Sequence, residues 1–100
     1  MAVKVFIKRH VKKGKAENTF ALLNAVRRQA LKQPGYISGE TLVNHYDPCK
    51  ITVVSTWQTI DDWIQWQESD ARASKEDQLE SLQEGPADFE IYDQGPASKE

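Results

Sequence analysis

The sequence predicts an α+β fold: a four-stranded antiparallel sheet with its helices on one face. Three observations predict it. Apolar residues alternate at the N-terminus, and a β-branched run crosses residues 51–57. The apolar period lengthens to that of a helix after Ala16 and again after Thr59. Proline–glycine pairs at 34–35 and 85–86 separate the segments.

Val3, Val5 and Ile7 alternate with Lys4, Phe6 and Lys8, which predicts the first strand. Lys12-Lys13-Gly14-Lys15 reads as a turn. From Ala16 to Lys32, the residues Ala16, Phe20, Leu22, Leu23, Val26, Ala30 and Leu31 gather on half of a helical circle. Arg27 intrudes on that arc, where its long stem can lie along apolar surface. Pro34-Gly35 ends the helix. Tyr36 to about His45 reads as a second strand, Asp47-Pro48 as a turn and Ile51 to Trp57 as a third strand, so the short connection implies a hairpin.

Thr59 suits a helix N-cap, with Asp61 and Asp62 at the positive end of the first turn. The helix that follows is expected to bury Ile60, Trp63, Ile64 and Ala71, with Trp66 at the edge of the arc and Ser69-Asp70 as a point of continuation or kink. Residues 71–84 read as helical with Leu79 and Leu82 as anchors, and Phe89 to Tyr92 as the last strand. The resulting order, strand-helix-strand-strand-helix-strand, is the split βαβ, ferredoxin-like arrangement (β1-α1-β2-β3-α2-β4). One domain over residues 1–94 is expected, with a loose tail at 95–100. Strand three carries Ile51, Val53 and Trp57 on one side and Val54 on the other, so a second apolar sheet face is left uncovered. Its simplest cover is a second copy, and a homodimer is expected.

With 39% hydrophobic and 28% charged residues the chain is expected to be folded and soluble. It holds no apolar run long enough for a membrane span, and charges interrupt its start before signal-peptide length. One cysteine, Cys49, excludes an internal disulfide framework, and a reducing cytoplasm is the expected location. Residues 1–32 hold nine Lys/Arg against one acid, and residues 33–100 four against fourteen. Such a basic segment can bind nucleic acid, but it can equally be one surface shared with the acidic half. The third strand, Lys50 to Trp57, has neither the glycine nor the stacking aromatics of RNA-recognition domains, so no nucleic-acid partner is expected. His10, His45 and Cys49 lack a tight metal spacing, and no metal is expected.

Trp57, Trp63 and Trp66 fall within ten residues across a strand-to-helix junction. They can be core filler, or line a pocket for a flat aromatic ligand with Asp62 one turn before Trp66.

Pro34-Gly35-Tyr36, then Val53-Val54-Ser55-Thr56-Trp57, Trp63, Trp66, Ser69, Asp70 and Arg72 resemble the antibiotic biosynthesis monooxygenase domain family over roughly residues 3–92. The resemblance implies a dimeric α/β barrel, with a pocket between each sheet and its helices. It implies cofactor-independent oxygenation of a phenol- or quinol-like aromatic, small or polycyclic, in which the ionised substrate itself reduces dioxygen. In that chemistry Trp66 would wall the site and hydrogen-bond substrate or peroxide, Asp62 or His45 would take the proton, and Arg72 would favour the anion. The alternative is a non-catalytic dimer that binds a small aromatic. The family's haem-degrading branch pairs a strand-one asparagine, a helix tryptophan and a histidine ten residues further on. Trp66 matches the tryptophan, but Ile7 and Glu76 stand at the other two places, so no haem is expected.

Overall fold

Alternation at the N-terminus is realised as β1 (Val3–His10), which buries Val3, Val5 and Ile7 and turns Lys8 and His10 outward. In the computed structural model, which describes residues 1–95, there follow α1 (Ala16–Ala30), β2 (Tyr36–Val43), β3 (Lys50–Trp57), α2 (Ile60–Gln67), α3 (Asp70–Glu80) and β4 (Asp88–Asp93). Residues 96–100 of the expected tail lie outside the described residues.

The strands form one antiparallel sheet in the order β2-β3-β1-β4, as the ferredoxin-like arrangement requires. Registers of Val3 with Trp57, Val5 with Ser55, and Ile7 with both Val53 and Phe89 place these side chains on the helix-bearing face. Phe6, Val54, Thr56 and Tyr92 lie on the other face, where Phe6 and Tyr92 meet edge to face at 5.5 Å. No helix of the described residues is long and apolar enough to cross a membrane.

The helical segment after Thr59 is two helices, broken at Glu68 and Ser69. Ser69 is extended (φ −71°, ψ 149°); its hydroxyl donates to the Trp66 carbonyl at 2.7 Å and accepts the Arg72 N–H at 3.3 Å, capping α3. That break restarts the helical phase, so Ala71 is exposed while Arg72 turns inward. Within α2 the expected arc is corrected as well: Trp63 and Trp66 are buried, and Ile60 and Ile64 are each 39% exposed. Leu79 anchors α3 as expected, and Leu82 is half-buried beyond its end. In α1 the expected arc is realised by Leu23 and Ala30 with half-buried Ala16, Phe20, Leu22 and Val26. Leu31 falls past the last turn and is exposed; Thr19 is buried instead, its hydroxyl donating to the Lys15 carbonyl at 2.9 Å.

Two apolar clusters fill the space between sheet and helices. One gathers Val3, Val5, Ile7, Ala30 and the three tryptophans, the other Val11, Leu23, Ile51 and Leu79. The basic and acidic halves of the chain interleave: Lys8 pairs with Glu90 at 3.0 Å and Arg9 with Glu76 at 2.7 Å.

Candidate functional site

Between the two clusters the packing leaves a cavity of about 60 Å³ on the helix-bearing face. Ile7, Val53 and Trp57 form its floor, Val26 and Ala30 one wall, and Trp63 and Trp66 the other. Its volume suits a few waters, far below the roughly 300–1,000 Å³ of drug-sized sites, so a ring-bearing ligand needs side chains at the mouth to move. Arg27 spans that mouth: from α1 its Nη2 donates to the Gly39 carbonyl on β2. Tyr36 lies beside it, and a Cβ on Gly39 would stand 2.5 Å from the Tyr36 hydroxyl.

The aromatic wall is a connected stack. Trp57 meets Trp66 at 6.4 Å in near-parallel orientation, Trp63 at 5.9 Å and Tyr36 at 5.3 Å edge-on. The Trp57 indole N–H donates to Ser55 Oγ at 3.0 Å, while that of Trp63 is buried without a partner among the described residues.

At one end of the cavity the apolar lining gives way to charge. Arg9, at the inward position after Ile7, grips Glu76 through Nη1 to Oε2 at 2.7 Å and Nη2 to Oε1 at 2.9 Å. Its Nη1 also donates to Gln83 Oε1 at 2.8 Å. Gln83 is held in turn by its own amide donating to the Gly85 carbonyl and by a bridge to Val11. Arg72 Nη2 donates to the same Glu76 Oε1 at 3.2 Å, and its guanidinium lies 5.4 Å from the Trp63 ring centre and 5.5 Å from that of Phe89. Burial alone would raise the Glu76 pKa, but the hydrogen bond and charge of Arg9, with the charge of Arg72, outweigh it and hold the carboxyl below its ordinary value. Burial depresses the Arg72 pKa; the charge of Glu76 and, more weakly, that of Glu80 offset this in part, and the neighbouring Arg9 adds to it. Two guanidiniums thus share one hydrogen-bonded carboxylate, and among the groups in contact the cluster carries an excess of one positive charge.

Of the residues singled out from the sequence, Trp66 and Arg72 line the cavity together. Asp62 and His45 do not. The Asp62 carboxylate accepts from the Thr59 hydroxyl at 2.9 Å, that hydroxyl accepts the Asp62 N–H at 3.1 Å, and the carboxylate packs over Gly35. His45 is exposed in the turn between β2 and β3, edge-on to Tyr46 at 4.9 Å. Arg9, Ser55 and Gln83 were not foreseen as parts of the site. Arg9 carried a signal, since it continues the inward series Val3, Val5, Ile7 as a charge on an apolar face; Gln83 carried none. Glu76 does not fit the part of an axial iron ligand, because both its oxygens are engaged by guanidiniums.

No curated protein matches the chain significantly. Among solved structures, a conserved protein from Methanosarcina mazei superposes with a TM-score of 0.88 at 22% identity, covering 92% of this chain and 91% of that one. A protein from Shewanella oneidensis gives 0.82 at 23% identity over 91% and 88% of the two chains. The cofactor-independent oxygenase SnoaB of Streptomyces nogalater gives 0.83 at 12% identity over 100% of each chain. At these identities the likeness is one of fold. Residues 2–74 match the model of the family described as antibiotic biosynthesis monooxygenase. Spanning most of the chain, that match makes this protein a member of the antibiotic biosynthesis monooxygenase family.

Proposed function

We propose that the protein is a cofactor-independent monooxygenase that oxidises a phenol- or quinol-like aromatic with dioxygen in the tryptophan-lined cavity. The observation that carries this reading is the junction of an aromatic wall with a buried excess of positive charge. A flat ring stacks beside Trp57 and Trp66, and the Arg72–Glu76–Arg9 cluster stabilises negative charge on it. The ring hydroxyl loses a proton to give the electron-rich phenolate. The anion passes one electron to dioxygen, and the radical pair joins through a C–O bond at a ring C–H carbon. The peroxide takes up a proton, and loss of water with the hydrogen of that carbon leaves a second carbonyl. The substrate gives up four electrons and dioxygen accepts four, so the substrate is the reductant. Trp66 supplies a wall and an indole N–H for the ionised substrate or the peroxide.

A second reading, aromatic binding without turnover, is favoured by one observation. Among the described lining residues, the less exposed carboxylate, Glu76, is engaged by two guanidiniums and is a weak base. In the oxygenase reading the buried cation therefore lowers the substrate's own pKa, and the proton leaves to water.

The protein is proposed to act as a homodimer closed through the outer sheet face, where Phe6, Leu42, Val54 and Tyr92 leave apolar surface uncovered. Light scattering tests this, and a monomer at micromolar concentration overturns it.

Oxygen uptake by the purified protein against anthrones, quinols and naphthols tests the activity, with Trp66→Phe alongside. Uptake that the variant loses supports the oxygenase. No uptake across the panel overturns it in favour of binding alone.

A further inference from the structure

We propose that the cavity selects ligands with a permanent negative charge, specifically aromatic carboxylates, seating the carboxylate on the Arg72 guanidinium and the ring along Trp57 and Trp66. This rests on the reading of the cavity as an aromatic-binding site rather than on turnover, and it adds the class of ligand. A carboxylate on Arg72 takes up the charge that the oxygenase reading assigns to the ionised ring.

The first support is a count of charge. Arg9 takes both oxygens of Glu76 in a fork, and Arg72 must share Oε1 at the longer distance of 3.2 Å. Within the cluster, therefore, Arg72 is the cation without a hydrogen-bonded counter-charge of its own, the charge of Glu80 acting on it only through space. Among the described residues Glu76 is the one hydrogen-bond acceptor of its guanidinium, which carries five N–H groups.

Location is the second support. The side chain of Arg72 is 7% exposed, and both it and Glu76 line the cavity. The rings of Trp63 and Phe89 lie against its guanidinium, which restricts the directions left for an acceptor. An uncompensated buried charge is costly, and a ligand that brings the missing charge recovers that cost on binding. Depression of the Arg72 pKa by burial and by Arg9 is consistent with a site short of one anion.

The third support is chemical form. A neutral phenol has an ordinary pKa near 10 and must lose a proton against desolvation before it supplies charge. A carboxylate arrives charged at neutral pH, and its two oxygens match the planar fork of a guanidinium. The exposed Arg27 at the mouth gives an incoming anion a first cationic contact.

Calorimetric titration with two isosteric pairs, benzoate with benzamide and 2-naphthoate with 2-naphthamide, tests the proposal at pH 7 on the unmodified protein. At least one carboxylate is expected to bind tenfold or more tightly than its amide. Arg72→Met is expected to bring the two members of a pair to within about twofold. Glu76→Gln, which removes the shared counter-charge, is expected to tighten the carboxylate several-fold. Equal affinity within both pairs overturns the proposal and leaves the cavity as an aromatic site. Binding by none of the four probes overturns it as well. Because the wild-type ratio needs no variant, a folding defect in Arg72→Met does not decide the matter. Because the readout is binding, a protein that takes up no oxygen can still sustain the inference.

Discussion

Arg9 and Glu76, 67 positions apart, meet in a two-bond fork at the end of the cavity, with donor–acceptor distances of 2.7 and 2.9 Å. That fork ties the first strand to the middle of α3, and the bond from Arg9 to Gln83 Oε1 at 2.8 Å ties the same strand to the segment beyond α3. Removing one member of a buried pair strands the other in a medium of low dielectric, which costs about 3–5 kcal/mol. Arg9→Met is expected near the lower end, about 3 kcal/mol, because Arg72 remains to compensate Glu76. Urea unfolding measures the loss. Replacing Arg9, Glu76 and Arg72 together by Met or Leu is expected to cost much less than the single change, since no charge is then left buried alone.

The same cluster sets a pH dependence. Since the folded-state pKa of Glu76 lies below its ordinary value of 4.5, the unfolded chain takes up this proton first as pH falls. Its contribution to stability is thus full above the unfolded value and is lost as pH drops through the lower folded one. Urea midpoints of wild type and Glu76→Gln, followed from pH 7 to pH 3, are expected to differ most at the upper end and to converge at the lower. A difference that grows with acidification would refute the assignment.

Much of this was legible from residues alone, for reasons the structure makes concrete. Strand alternation placed Val3, Val5 and Ile7 on the covered face, and the proline–glycine step ended α1 before β2. Trp66 and Arg72 were named as neighbours in function and share the cavity. The break at Ser69 was legible only as a point of kinking, because a serine that caps a new helix looks in sequence like a serine on a polar face. That break misplaces Ala71, because a wheel carried through it loses phase; Ile60 and Ile64 precede it and are exposed because Trp63 and Trp66 take the covered side of α2. Asp62 was legible as a first-turn acid, and its hydrogen bonds are those of a cap. The union of Arg9, Glu76 and Gln83 was illegible because it is made by tertiary closure across three elements.

Gly35 is bound to its type by two independent constraints. Its φ of +81° is left-handed, and a Cβ there would overlap the Asp62 carboxylate. Gly14 has the same φ but open space around it. Gly14→Ala is expected to cost about 1 kcal/mol, the conformational penalty alone, and Gly35→Ala measurably more. Adding Asp62→Ala to Gly35→Ala is expected to recover part of the excess. Thermal or urea unfolding of the four proteins checks both statements, and equal costs at the two glycines would show that the carboxylate yields freely.

Access to the cavity turns on Arg27. Its guanidinium reaches from α1 to the Gly39 carbonyl, closing the space between helix and edge strand over a cavity too small for a ring-bearing ligand. The side chain is exposed, so its hydrogen bond competes with water and its loss is expected to cost less than about 1 kcal/mol of stability. Arg27→Ala should therefore leave the fold intact and open the mouth. Trp57, Trp63 and Trp66 all line the cavity and are at most 4% exposed, so their fluorescence reports that opening. Acrylamide is expected to quench the variant several-fold more efficiently than wild type, with no matching change in the urea midpoint. Unchanged quenching would mean that Tyr36 and the flanking wall, not Arg27, keep the cavity shut.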